Sequence, residues 1–191
     1  MIGAGRTDSG VHACGQIAHA TIAGARTCSC PQLHRALNAV LPEEIVFRSI
    51  RWAPRTFHAR YCAVSKWYRY TLWNHPVRPL FERARVLHVP APLDLAAMRR
   101  AARGLIGRRD FRAFHSSGRP VGSTVRHLRR LTISKQGPRL HIDAEADGFL
   151  YHMVRRIVGL LLEVGKGKEP PRIPPTAPAK GLCLMKVATP P

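Results

Sequence analysis

The first residues of the chain that could do chemistry lie in Gly3-Ala4-Gly5-Arg6-Thr7-Asp8-Ser9-Gly10-Val11-His12-Ala13, where one carboxylate, Asp8, stands close to one guanidinium, Arg6. Gly3, Gly5 and Gly10 free the backbone to turn tightly and to approach another group closely, which is how a loop presents an acid. A dinucleotide fingerprint would need a third glycine where Asp8 stands, and that charge would repel a pyrophosphate. A P-loop would end in Gly-Lys-Ser/Thr, and no such tripeptide follows. Chemistry alone leaves two readings open: a catalytic carboxylate, or a Thr7, Asp8 or Ser9 side chain that closes a turn or caps a helix.

Later segments add to the pattern. Phe57-His58-Ala59-Arg60, Tyr68-Arg69-Tyr70, Asp110-Phe111, His152-Met153-Val154-Arg155 and Gly181-Leu182 follow in that order. Together with the Gly-rich loop they resemble the motifs of the tRNA pseudouridine synthase A (TruA) family. The resemblance covers nearly the whole chain except the region from about Lys168 to Ala179. It implies an α+β protein of the pseudouridine synthase fold: antiparallel sheet with helices on one face, and two ferredoxin-like halves around a basic cleft. Residues 1–75 would be the N-terminal catalytic-loop half and residues 76–191 the C-terminal half that completes the active site. Family members carry a strand and a helix before the Gly-rich loop, on the order of forty residues from element lengths. The first half is therefore expected to be incomplete, as in a fragment or a shortened form.

The implied reaction isomerises uridine to pseudouridine in the tRNA anticodon stem-loop, at positions 38 to 40. It breaks the N1–C1′ bond, rotates the base and rejoins it through C5, with no redox step, no cofactor and no metal. One carboxylate suffices, as nucleophile on the sugar or as the base that removes a sugar proton. By resemblance that group is Asp8, Arg155 is the cation that holds it, and Tyr68 supplies an aromatic face for an extruded base. Arg6, His58, Arg60, Lys66, Arg69 and His152 would contact RNA. A homodimer gripping one tRNA is implied as well. Blander readings stand beside these: Arg155 as a helix-surface charge that snorkels to water, Tyr68 and Tyr70 as a core pair, and each basic residue as a solvated surface charge.

Composition points the same way. The chain carries 31 Lys plus Arg against 11 Asp plus Glu, a net charge of +20, and a field of that size draws polyanions. Nucleic acid is the expected partner. Arginine is spread from Arg6 to Arg172 rather than gathered on one amphipathic segment, and the longest apolar run, Ile157 to Leu162, is too short to span a bilayer. No membrane association is expected, and with no visible secretory signal a cytoplasmic protein with reduced thiols is. Cys28, Cys30 and His34 lack a fourth ligand at zinc spacing. The competing function classes are a basic tRNA- or RNA-binding protein on the same scaffold that has lost turnover, and a metal-dependent nuclease, which no pair of carboxylates supports.

The elements that must position these residues can be read from periodicity. Residues 1–4 look like the tail of a strand, and Gln16 to Thr21 like a second. Pro31 opens a helix with Leu33, Leu37 and Val40 on one face, and Pro42 ends it. Ile45 to Trp52 and Lys66 to Trp73 read as strands. The pattern breaks from Pro76 to Pro92, as in a linker. Asp94 caps a helix bearing Leu95, Met98, Ala102 and Leu105, which Gly107 stops. Arg108 to Val125 reads as a basic loop. A hairpin around Gln136-Gly137 joins His127–Lys135 to Arg139–Ala146, where Leu140, Ile142, Ala144 and Ala146 alternate with His141, Asp143, Glu145 and Asp147. A helix from about Leu150 to Val164, a Pro-rich tract and a terminal strand from Gly181 to about Val187 complete the chain.

Overall fold

The computed structural model describes residues 1–22, 28–116 and 121–190. Its frame is a seven-stranded sheet. The long hairpin of β7 (Val125–Gln136) and β8 (Arg139–Ala146) pairs through β8 with β4 (Ser65–Asn74), and β4 pairs on its other side with β9 (Leu182–Ala188). β2 (His12–Ala13) lies parallel beyond β9, β6 (Gly107–Asp110) is antiparallel beyond β7, and β5 (Leu87–Val89) runs parallel to the end of β4. The sheet is thus mainly antiparallel, with two parallel pairings that the expectation of a purely antiparallel sheet lacked. β1 (Ile2–Gly3) and β3 (Ala18–His19) form a separate antiparallel pair.

Strand alternation decides which face is covered. Tyr68, Tyr70 and Leu72 of β4 stand opposite Ala144, Ile142 and Leu140 of β8, so all six share one face, and all are buried. They join Met98 and Ala102 of α2 (Leu95–Leu105) and the apolar stripe of α3 (Met153–Gly165) in one core. The other face carries Trp67, Arg69, Thr71 and Trp73 opposite Glu145, Asp143, His141 and Arg139. Asp94 caps α2 as expected, its side chain accepting from the Ala97 amide at 2.9 Å.

Three expectations change. The segment from Ile45 to Trp52 is extended but forms no strand: no described strand lies beside it, and Ile45, Val46 and Trp52 are more than half exposed. An extended segment with nothing to pair with has no ladder to join, whatever its β-propensity. It is held instead by α1 (Cys30–Val40), whose Asn38 side chain both donates to the Phe47 carbonyl (2.9 Å) and accepts from the Phe47 amide (2.8 Å). The supposed linker from Pro76 to Pro92 contains β5, and the supposed loop from Arg108 to Val125 begins with β6, in which Arg108, Arg109 and Asp110 are all exposed. β6 is polar throughout, and β5, Leu87-His88-Val89, is too short at three residues for its alternation to announce a strand. Residues 117–120 of that stretch lie outside the described residues.

Candidate active site

Asp8 sits in the loop between β1 and β2, and the body of the protein fixes that loop at both ends. Before it, the Ala4 amide donates to the Ile17 carbonyl (2.7 Å), and Lys66 Nζ donates to the Ala4 carbonyl (2.8 Å). After it, Val11 N closes a turn onto the Asp8 carbonyl at 3.0 Å. That turn has Gly10 at φ +79°, a left-handed conformation an L side chain rarely adopts. β2 then docks beside β9.

Two side chains from the start of α3 meet the carboxylate. Arg155 Nη1 donates to Asp8 Oδ2 at 2.8 Å, from 147 positions away in the sequence. Arg155 is itself oriented, because its Nε donates to the Ala177 carbonyl at 2.7 Å while the Ala177 amide donates to the Arg155 carbonyl. His152 Nε2 lies 3.3 Å from the same Oδ2, and His152 Nδ1 lies 2.9 Å from Ser116 Oγ. Burial holds the His152 imidazole below its usual pKa, with Arg155 and Arg156 adding to the shift and the Asp8 charge opposing it. A neutral ring has one N–H, and a carboxylate can only accept. The tautomer with its proton on Nε2 is the one that turns an N–H toward Asp8 and leaves Nδ1 to accept from Ser116. His152 adopts φ 62° immediately before α3, so strained backbone aims this ring.

Tyr68 lies on the covered face of β4 and meets Phe149 edge to face, centroids 5.2 Å apart. Burial, and then the Asp8 charge, push the Tyr68 hydroxyl up to about 12, so it stays a neutral phenol at physiological pH. Tyr70 is buried behind it and donates to the Pro178 carbonyl at 2.8 Å. Asp8, Arg155, His152 and Tyr68 thus form one site whose carboxylate side chain keeps 25% of its exposure.

A family model described as tRNA pseudouridine synthase matches residues 101–190. Relatives named tRNA pseudouridine synthase A align over nearly all of the chain. The protein from Moorella thermoacetica is 46% identical, across 97% of this chain and 80% of its own length. That from Syntrophotalea carbinolica is 41% identical, across 98% and 79%. The chain belongs to the tRNA pseudouridine synthase A family. A Chlamydia trachomatis relative, 41% identical, aligns across the whole of this chain and 77% of its own length.

In this family member the basic residues singled out from the sequence divide into groups. Arg6 and Arg60 are exposed. Lys66 is drawn beneath the loop by its bond to Ala4, and burial together with the nearby Arg60 and Arg126 charges lowers its pKa. His58 stacks on Tyr61 (4.2 Å) and lies close to His19, and its Nδ1 accepts from the Arg60 and Tyr61 amides, so it shapes its own loop. Arg69 is not brought to the site. It lies on the opposite face of β4, where its Nε and Nη2 grip both oxygens of buried Asp143 at 2.9 and 3.1 Å. Strand alternation dictates this, since residues 68 and 69 cannot share a face.

Sequence reasoning missed Ser116, the Ala177 carbonyl and Arg126. None belongs to a motif, and a backbone carbonyl leaves no signal in residue type. His152 was expected to contact RNA, and the structure places it against Asp8. As for the metal reading of Cys28, Cys30 and His34, His34 Nε2 is taken by the Phe47 carbonyl at 2.6 Å.

Proposed function

We propose that this chain isomerises uridine to pseudouridine in tRNA, with Asp8 as the group that acts on the sugar. The observation that carries the proposal is the Asp8–Arg155 pair, with Tyr68 near enough for its hydroxyl to feel the Asp8 charge. A guanidinium never releases its proton, so it keeps the carboxylate charged while leaving one oxygen for the substrate. Asp8 then serves as nucleophile at C1′ or as base toward a sugar proton. In either case the N1–C1′ bond breaks, the freed uracil turns, C5 bonds to C1′, and the C5 proton leaves while N1 gains one. Protonated Tyr68 supplies an aromatic face and a hydroxyl for the freed base, and His152 stands against the Oδ2 that Arg155 holds.

The same reading extends to the partner. The target lies in the anticodon stem-loop, whose phosphates meet Arg6 and Arg60 in the +20 field of the chain, over loops that Lys66 and His58 hold in shape. Residues 1–75 and 76–191 act as two halves around that cleft, in the manner of two ferredoxin-like units. β4 of the first half pairs with β8 and β9 of the second, which supports a single continuous frame. A homodimer working in the cytoplasm completes the proposal. Among the described residues no helix is long and apolar enough to cross a membrane.

The test is tritium release from C5-labelled uridine in tRNA transcripts. The unaltered chain is expected to release it, and Asp8→Ala to lose at least about 10³-fold in rate while still binding tRNA. No release by the unaltered chain, with tRNA binding intact, would favour the alternative of a binding protein on this scaffold.

A further inference from the structure

Two thiols that the proposed chemistry does not use meet beside the Asp8 loop. Cys14 follows β2, Cys183 lies in β9, and their sulfur atoms are 3.5 Å apart although 169 positions separate them. Strand pairing brings them together. His12 stands opposite Cys183 and Ala13 opposite Leu184, while the Cys14 and Gly15 amides both donate to the Leu184 carbonyl at 2.8 and 3.2 Å. At Gly15 a Cβ would run into the Met185 carbonyl, so the backbone is pressed onto β9 at the next residue. The approach of the two sulfurs is thus fixed by main-chain bonds on both sides. Of the other three, Cys62 Sγ accepts from the His58 amide and Cys28 Sγ donates to the Ser29 carbonyl.

We propose that Cys14 and Cys183 form a redox modification site, closing to an intramolecular disulfide when a low-molecular-weight disulfide such as oxidised glutathione accumulates. Cys14 is exposed and attacks first; Cys183 is half-buried and resolves. The Cys14 thiolate displaces one glutathione thiolate and becomes a mixed disulfide. Cys183 then loses its proton, attacks the Cys14 sulfur and expels the second glutathione. Two protein thiols are oxidised by two electrons, and one glutathione disulfide is reduced to two thiols. Burial and the neighbouring Cys14 push the Cys183 thiol up to about 11, which agrees with this order of events. Under reducing conditions both residues remain thiols. Once closed, the bond clamps the exit of the Asp8 loop to the strand whose Leu184 pairs with Tyr68.

The full-length chain is equilibrated with oxidised glutathione, quenched with iodoacetamide and weighed intact and after digestion. The expected product has lost two hydrogens, takes up alkyl groups at three of its five cysteines and yields a peptide joining Cys14 to Cys183 within one chain. Cys183→Ser should instead hold glutathione on Cys14, which shows that the first step runs without the second. The proposal is overturned if the unaltered chain retains glutathione on Cys14, if all five cysteines alkylate, or if the link joins two chains. These readouts need no tRNA, so they stand or fall apart from the proposed isomerase activity.

Discussion

The region that carries Asp8 and the region that holds it are built differently. Among the described residues, 1–64 contain three strands of two residues each and one α-helix, α1, that contributes no buried residue. Among the described residues, Ala4 and Ala59 are the buried apolar positions of this stretch. Residues 65–188 contain strands of ten, twelve and eight residues and α3, nine of whose residues are buried. The carboxylate is therefore borne by a light segment whose conformation is imposed from outside. Lys66 ties down Ala4, β9 takes β2, and Arg155 and His152 take Asp8. A loop with little burial of its own can be placed accurately only by groups on a rigid frame, which is what pre-organises an active site.

This contrast can be broken at several points. The largest expected effect is on activity. Arg155→Gln should lower the rate of pseudouridine formation by about 10²–10³-fold, since it removes the fixed charge at Asp8. Circular dichroism should show the sheet body intact. A variant that keeps full turnover would mean that the light segment positions its own acid.

Stability comes next. Leu161 is completely buried in α3, and Leu161→Ala should cost about 3–5 kcal/mol in a urea melt. Leu37→Ala, on a helix with no buried residue, should cost less than about 1 kcal/mol. Equal costs would erase the distinction between the two regions. Gly159→Ala should cost about 1–3 kcal/mol, because its Cβ would meet the Pro175 carbonyl where the Pro-rich tract crosses α3.

The smallest effect is one of pH. Burial depresses the His152 pKa in the folded state, so the unfolded chain binds more protons between that lowered value and the ordinary 6.5. Stability contributed by neutral His152 is whole above 6.5 and is lost as pH falls through the folded value. His141, depressed by burial and Arg69, acts in the same direction. Urea midpoints should therefore decline on acidification below 6.5, and His152→Gln should flatten part of that slope. An unchanged slope would remove the imidazole from the account of how the frame grips the loop.

Much of the frame is legible in residue order. The β7–β8 hairpin shows in alternation, α2 in its Asp94 cap, and α3 in its apolar stripe. The region around Asp8 was legible only as a motif. Ile45 to Trp52 has the composition of a strand, but a strand exists only where a neighbour offers hydrogen bonds, and periodicity cannot supply the neighbour. β6 failed the opposite test, being a strand by pairing without apolar alternation, and β5 alternates over only three residues, too few to announce one.

Taken by itself, the sequence determined the charge and the covered faces of the long elements, because each depends on residue type and local spacing, and it singled out Asp8 as the candidate acid through a family motif. Only the tertiary structure decided what surrounds that acid. Arg155 meets Asp8 across 147 positions, His152 turns from an expected RNA contact into its second partner, and Arg69 is withdrawn to Asp143 on the far face. The physical reason is that a charge near a core takes whichever partner chain folding brings within hydrogen-bond reach, and sequence separation carries no information about that distance.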